Sequence, residues 1–99
     1  MSVTLREEMV FVSAYNFLLK MRYEDNLEFD IRIEEEAETL QLPPMSVQLL
    51  IENAVKHNEI SNRHPLVIRV CTTGKQLTVS NPIQRKKTAS GGLQIGLAN

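Results

Sequence analysis

The sequence has little with which to build a disulfide-stapled, membrane-spanning or nucleic-acid-coating protein. Its single cysteine, Cys71, can close no internal disulfide and has no Cys or His neighbour at metal-ligand spacing, so it is expected to be a small packed side chain. Tryptophan is absent and aromatics make up only 5% of the chain, too few and too scattered for a base-stacking platform. Eleven Lys and Arg against twelve Asp and Glu leave a formal charge of −1, which excludes a pervasive positive field for nucleic acid and leaves only local basic patches open. No apolar run approaches the roughly 20 residues needed to cross a bilayer, and the N-terminus lacks a charged-then-apolar secretory pattern. These absences place the chain in the cytoplasm or in a cytoplasmic portion of a larger protein.

What is present is ordinary globular material, with 42% apolar and 23% charged residues. Ninety-nine residues support one domain, spanning 1–99, and exclude a two-domain enzyme. A domain of this size buries only about 60 to 65% of its unfolded surface, so marginal stability is expected.

Local patterns predict the elements. Thr4 followed by Glu7 fits a capping box for a helix beginning at Leu5. Leu5, Met9, Val12, Leu19 and Tyr23 then recur at three- and four-residue steps, with Phe11, Tyr15 and Leu18 widening the stripe, and the helix should run to about Arg22. Leu27, Phe29, Ile31 and Ile33 alternate with charged residues as in a half-buried strand. The acidic run Glu34-Glu35-Glu36 reads as a solvated turn, and Pro43-Pro44 forces extended backbone before a second helix. In that helix Val47, Leu50, Ile51 and Ala54 follow the core pattern. Leu66, Ile68 and Val70, then Leu77 and Val79, alternate on either side of Thr73-Gly74-Lys75 and predict an antiparallel hairpin. From Pro82 the chain turns basic and small, as expected of a mobile loop, and the stretch from Leu93 to Asn99 could open a helix.

The residues with chemical promise lie mainly in Glu52-Asn53-Ala54-Val55-Lys56-His57. A helix presents the Asn53 amide, the Lys56 ammonium and the His57 imidazole within about one turn. An amide oxygen beside two donors suits a magnesium-bound phosphate, since magnesium takes hard oxygen ligands from protein, phosphate and water together. Spacing alone leaves a plainer alternative, in which Glu52 and Lys56 pair on the surface and His57 sits near a helix C-terminus. Three of the four glycines, Gly91, Gly92 and Gly96, fall in the last nine residues and could admit an anion to backbone amides, or could form a flexible tail. Neither GxxxxGK[ST] nor GxGxxG after a strand is present. Arg85, Lys86 and Lys87 read as solvated charges, His64 beside Pro65 as structural, and no serine or cysteine has a nucleophile context.

The order of these motifs carries more than any one of them: Pro43-Pro44-Met45, then Gln48-Leu49-Leu50-Ile51-Glu52-Asn53-Ala54-Val55-Lys56-His57, then two strands, then Gly96-Leu97-Ala98-Asn99. Together with a first helix that opens Leu5-Arg6-Glu7-Glu8 and contains Tyr15 and Arg22, this resembles the LytS-type sensor histidine kinases over nearly the whole chain. The resemblance implies the Bergerat-type ATP-binding fold of the GHKL superfamily (gyrase, Hsp90, histidine kinase, MutL). That is an α+β, two-layer α/β sandwich with helices covering one face of a mixed sheet. It implies ATP and Mg2+ as cofactors. Asn53 matches the magnesium-binding asparagine, Lys56 and His57 match positions lining the phosphates, and Glu52 matches an acidic residue of less defined catalytic role. Asn81 stands where an aspartate usually meets the adenine amino group, and Pro82-Ile83 follow it in place of the usual glycines. Its carbonyl oxygen can still accept that hydrogen bond, without a carboxylate's charge. Gly92, Gly96 and Leu97 match the second glycine box, interrupted by Gln94, and 82–91 would form the ATP lid.

The resemblance further implies that the phosphoacceptor histidine lies on an upstream dimerisation domain outside this chain. A response regulator, commonly with a LytTR-type output domain, would receive the phosphoryl group. Any membrane contact would be through the parent sensor, and there would be no direct nucleic-acid contact. The chain ends before the family's closing helix and strands, so a truncated domain is expected, monomeric by itself and unable to autophosphorylate. Two other outcomes stand beside this: a docking or dimerisation module with a degraded nucleotide pocket, and an unrelated α/β domain.

Overall fold

In a computed structural model that describes residues 1–81 and 91–99, the chain forms two helices, a four-stranded mixed sheet and a short two-stranded ribbon. The elements in order are β1 (Val3–Thr4), α1 (Leu5–Tyr23), β2 (Leu27–Arg32), β3 (Gln41–Leu42), α2 (Ser46–His57), β4 (Leu66–Thr73), β5 (Gln76–Asn81) and β6 (Gly91–Gly96). The fold is α+β, with the helical layer on one face of the sheet. The sheet order is β2-β4-β5-β6, with β2 parallel to β4 and the other pairs antiparallel. Leu66, Ile68, Val70 and Thr72 of β4 and Leu77, Val79 and Asn81 of β5 form the buried rows. Arg69, directly opposite Asp30 on β2, lies on the outer face, where Asp30 pairs with both Arg32 and Arg69.

Helix α1 starts where the capping box places it. The Thr4 hydroxyl accepts from the Glu7 amide at 3.1 Å, and the Thr4 amide donates to Glu7 Oε1 at 2.9 Å. The Thr4 backbone bond, then the Thr4 hydroxyl, hold the Glu7 carboxyl below the usual carboxylate range. Leu5, Val12 and Leu19 are buried with Glu8 and Asn16, while Met9, Tyr15 and Tyr23 are half-buried. Phe11 and Leu18, expected to widen this stripe, instead face outward. Apolar residues occur all round α1, so its periodicity could not choose the side that meets the sheet.

Helix α2 begins at Ser46 by an unusual route. Met45 stands in the left-handed region at φ 67°, and no side chain of its own segment caps the helix. The cap comes from α1 instead. The buried Glu8 carboxylate accepts from Met45 N at 2.8 Å and Val47 N at 3.0 Å, with Gln48 N at 3.4 Å. Amides of a helix's first turn have no intrahelical partner, and the helix dipole favours a negative group there. One carboxylate therefore satisfies several orphan donors and binds the two helices together. Asn16, on the same buried stripe, has no partner for either amide atom among the described residues.

The β4–β5 hairpin turns through Gly74 and Lys75, with Gly74 at φ +59°, a conformation that favours glycine at the first position of a two-residue turn. The tail differs from the expected helix, because Gly91–Gly96 is strand β6, pairing Asn81 with Gly91 and Gln76 with Gly96. Leu93 and Ile95 alternate with period two opposite Val79 and Leu77, and the strand satisfies a β5 edge that a helix would leave unpaired. Cys71 is half-buried, on the outer row of β4 beside Arg69 and Thr73, rather than packed in the core. His64 closes a tight turn by exchanging backbone hydrogen bonds with Ser61, and its exposed imidazole stands 4.0 Å from the Glu59 carboxylate.

The buried polar pair on α1 yields opposite expectations. Glu8→Ala, which orphans the α2 amides, should lower stability by about 2 to 3 kcal/mol in urea unfolding, and Glu8→Gln by less, about 1 kcal/mol. Asn16→Leu should raise it by about 1 kcal/mol by removing unpaired polar atoms. Equal stabilities for wild type and Glu8→Ala would mean that the α2 cap carries no net energy.

Candidate functional site

Val47, Ile51 and Ala54 seat α2 on the core, and the helix packs over β5. This seating turns Asn53, Lys56 and His57 outward. All three are exposed, and among the described residues none of their side chains has a hydrogen bond or ion pair. The Glu52–Lys56 surface pair that spacing allowed is not formed. Asn58 closes the last turn by donating from Nδ2 to the Ala54 carbonyl at 2.8 Å, which holds the His57 end of the helix in place. The face thus offers an amide oxygen, an ammonium and an imidazole with no internal claims on them.

Glu52 is turned differently. It is half-buried and close enough to Tyr15 of α1 that, after burial and ahead of Tyr23, it raises the phenol's pKa. A negative charge beside a phenol disfavours the phenolate, so the two groups report on the packing of α1 against α2.

Asn81 ends β5 on the same buried row as Leu77 and Val79, the row that faces the helices. Gly91 stands opposite it and Gly92 opposite Ser80, so Asn81 and Gly92 are brought together at one end of the sheet. Gly96 is not brought there. It pairs with Gln76 at the other end of β5, roughly 17 Å along the strand from Asn81 at about 3.3 Å per residue. Leu97 is buried beside it, its amide donating to the Lys75 carbonyl at 2.8 Å, and Ala98 bridges to Gln41 of the ribbon. A Cβ at Gly96 would meet nothing within 4 Å, so crowding does not demand glycine at that position. The expected lid over 82–91, with Arg85, Lys86 and Lys87, lies outside the described residues apart from Gly91.

Among the described residues no three His, Cys, Asp or Glu side chains group together as metal ligands. A divalent cation at this site would be held by Asn53 through its carbonyl oxygen and otherwise by ligand oxygens and water, a donor set that suits magnesium. Sequence reasoning found the α2 trio but assigned no positioning role to Glu8. The signal was available, since Glu8 falls at the step of three between Leu5 and Val12 on the buried stripe, where an unpaired acid would be costly.

No protein-family model matches the chain. Among characterised proteins it is 33% identical over 86 residues to the sensor protein LytS of Staphylococcus epidermidis, a match covering 84% of this chain and 14% of that protein. It is 40% identical over 55 residues to the sensor histidine kinase BtsS of Escherichia coli, covering 56% of this chain and 10% of BtsS. With the sensor histidine kinase/phosphatase LytS of Staphylococcus aureus it shares 36% identity over 56 residues, covering 57% of this chain and 10% of the relative. The chain is related to a segment of sensor histidine kinases and spans only 10% to 14% of the length of these relatives. Among the described residues no helix is long and apolar enough to cross a membrane.

The Tyr15–Glu52 contact predicts a pH response with a definite sign. The folded pKa of Tyr15 is raised, so its contribution to stability is complete below the ordinary phenol value and is lost as pH rises through the folded value. Glu52→Gln should move the Tyr15 titration, followed by NMR of its ring carbons, back toward the ordinary phenol value. An unchanged titration would show that burial and Tyr23, without Glu52, set the shift.

Proposed function

We propose that this chain is the ATP-binding catalytic part of a two-component sensor histidine kinase, built on the Bergerat-type fold of the GHKL superfamily. The observation that carries this reading is the unpaired Asn53-Lys56-His57 face of α2, in a segment related to sensor histidine kinases. Asn53 would hold the cation through its carbonyl oxygen, and Lys56 and His57 would meet phosphate charge. When bound, the cation would supply charge neutralisation at the phosphate oxygens. Asn81 offers a carbonyl oxygen to the adenine amino group from the sheet side. Glu52, half-buried beside Tyr15, is the matching acidic residue, of less defined catalytic role.

In the parent protein the nucleophile is the imidazole nitrogen of a histidine on an upstream dimerisation domain. As its bond to the γ-phosphorus forms, the bond from that phosphorus to the bridging oxygen breaks and ADP departs. Positioning and charge neutralisation supply the catalysis. The phosphoryl group then passes to a response regulator, one with a LytTR-type output domain on the family pattern. By itself this chain binds nucleotide and does not phosphorylate itself.

A second reading is favoured by one observation. Gly96 and Leu97 stand at the far end of β5 from Asn81, as would suit a docking module of the same fold that no longer holds nucleotide. Calorimetric titration with ATP separates the two. The kinase reading expects magnesium-dependent heat that Asn53→Ala abolishes while circular dichroism stays folded, and about tenfold tighter binding by Asn81→Asp, which restores a charged acceptor. A folded wild type that takes up no ATP with magnesium present would overturn the kinase reading for this chain.

A further inference from the structure

Helix α1 carries a second apolar face that the fold does not use. Val10, Phe11, Phe17, Leu18 and Met21 are each between 62% and 68% exposed, although nothing in their composition separates them from the core side of the same helix. Val10, Ala14, Phe17 and Met21 follow one another at steps of four, three and four, the spacing of a coiled-coil seam, and Phe11 and Leu18 flank them seven residues apart. No charge interrupts this face. Lys20, the one cation within its length, is turned aside, with Nζ donating to the Glu24 and Leu27 carbonyls and to Glu28. Past Val10 the surface continues into a groove of about 420 Å³ between α1 and β2, lined by Met9, Val10, Ile31 and Ile33 and bordered by the Arg6–Glu38 ion pair.

We propose that this face is a self-association surface whose occupant is α1 of a second copy of the chain, packed antiparallel about a two-fold axis passing between Ala14 and Phe17. That axis sets Phe17 of each copy against Ala14 of the other, a large side chain against a small one, and Val10 against Met21. Phe17 of the second copy then lies beside Val10, near the mouth of the groove. An antiparallel arrangement also opposes the two helix dipoles.

The area supports a reversible dimer. The five exposed side chains present roughly 600 Å² of apolar surface, at the upper end of what a monomer commonly leaves in one patch. Burying that patch on both copies covers roughly 1,200 Å², the lower limit of specific interfaces, so association is expected in the micromolar range. This inference is independent of nucleotide binding, and it departs from the monomer expected from the sequence.

Sedimentation equilibrium of the 99-residue chain from about ten micromolar to about half a millimolar tests it, with Phe17→Glu and Met21→Glu as variants. Both positions are exposed, so circular dichroism should show each variant folded. The expected result is a concentration-dependent dimer for the wild type and at least a tenfold weaker association for each variant. A wild type that stays monomeric throughout overturns the proposal and assigns the face to a different occupant. A dimer that persists unchanged in both variants overturns it as well, and would point to pairing along a sheet edge.

Discussion

The rest of the structure depends on one carboxylate reaching across from one helix to start another. Helix α2 follows two prolines and a left-handed methionine and has no capping side chain of its own. Its first free amides are met by Glu8, one turn into α1. Burying a charged group is costly unless its hydrogen bonds are made, and here they are made by donors that would themselves be orphaned otherwise. Each helix end thereby relieves the other's cost. The same bond places α2 over β5, and that placement turns Asn53, Lys56 and His57 outward while Asn81 faces the helical layer from the sheet.

Charge is handled differently in the scaffold and at the site. Across the scaffold, Arg6 pairs with Glu38, Lys20 with Glu28, and Asp30 with Arg32 and Arg69. Exposed pairs of this kind contribute little energy. The α2 face presents an ammonium and an imidazole that no acid meets among the described residues. Groups left unpaired in this way have no internal bond to break before they engage an anionic ligand.

The parts of the fold that rest on local chemistry were legible in the sequence. The Thr4–Glu7 box, the alternating β4 and β5 and the Gly74 turn each depend on residues a few positions apart, and each forms where expected. The polar trio was legible for the same reason, because three residues on one helical turn must share a face. Other features depended on long-range packing. Phe11 and Leu18 match the helical period as well as Leu5 and Val12 do, and only the position of the sheet decides which set is covered. Leu93 and Ile95 fit a strand, while Leu93 and Leu97 are spaced for one face of a helix, and the open edge of β5 selects the strand. The separation of Gly96 from Asn81 follows from strand register, which motif order along the chain does not encode.

The three-residue link Pro43-Pro44-Met45 also acts as an angular setting. It joins the short ribbon to a helix that turns about 100° with each residue, so the number of residues before Ser46 fixes the rotation of everything α2 displays. One residue more or fewer would swing the Asn53 face by more than a quarter turn. Glu8, anchored on the other helix, would then meet a different set of amides. The compass heading of the polar face is thus written in the length of a link that touches none of its residues.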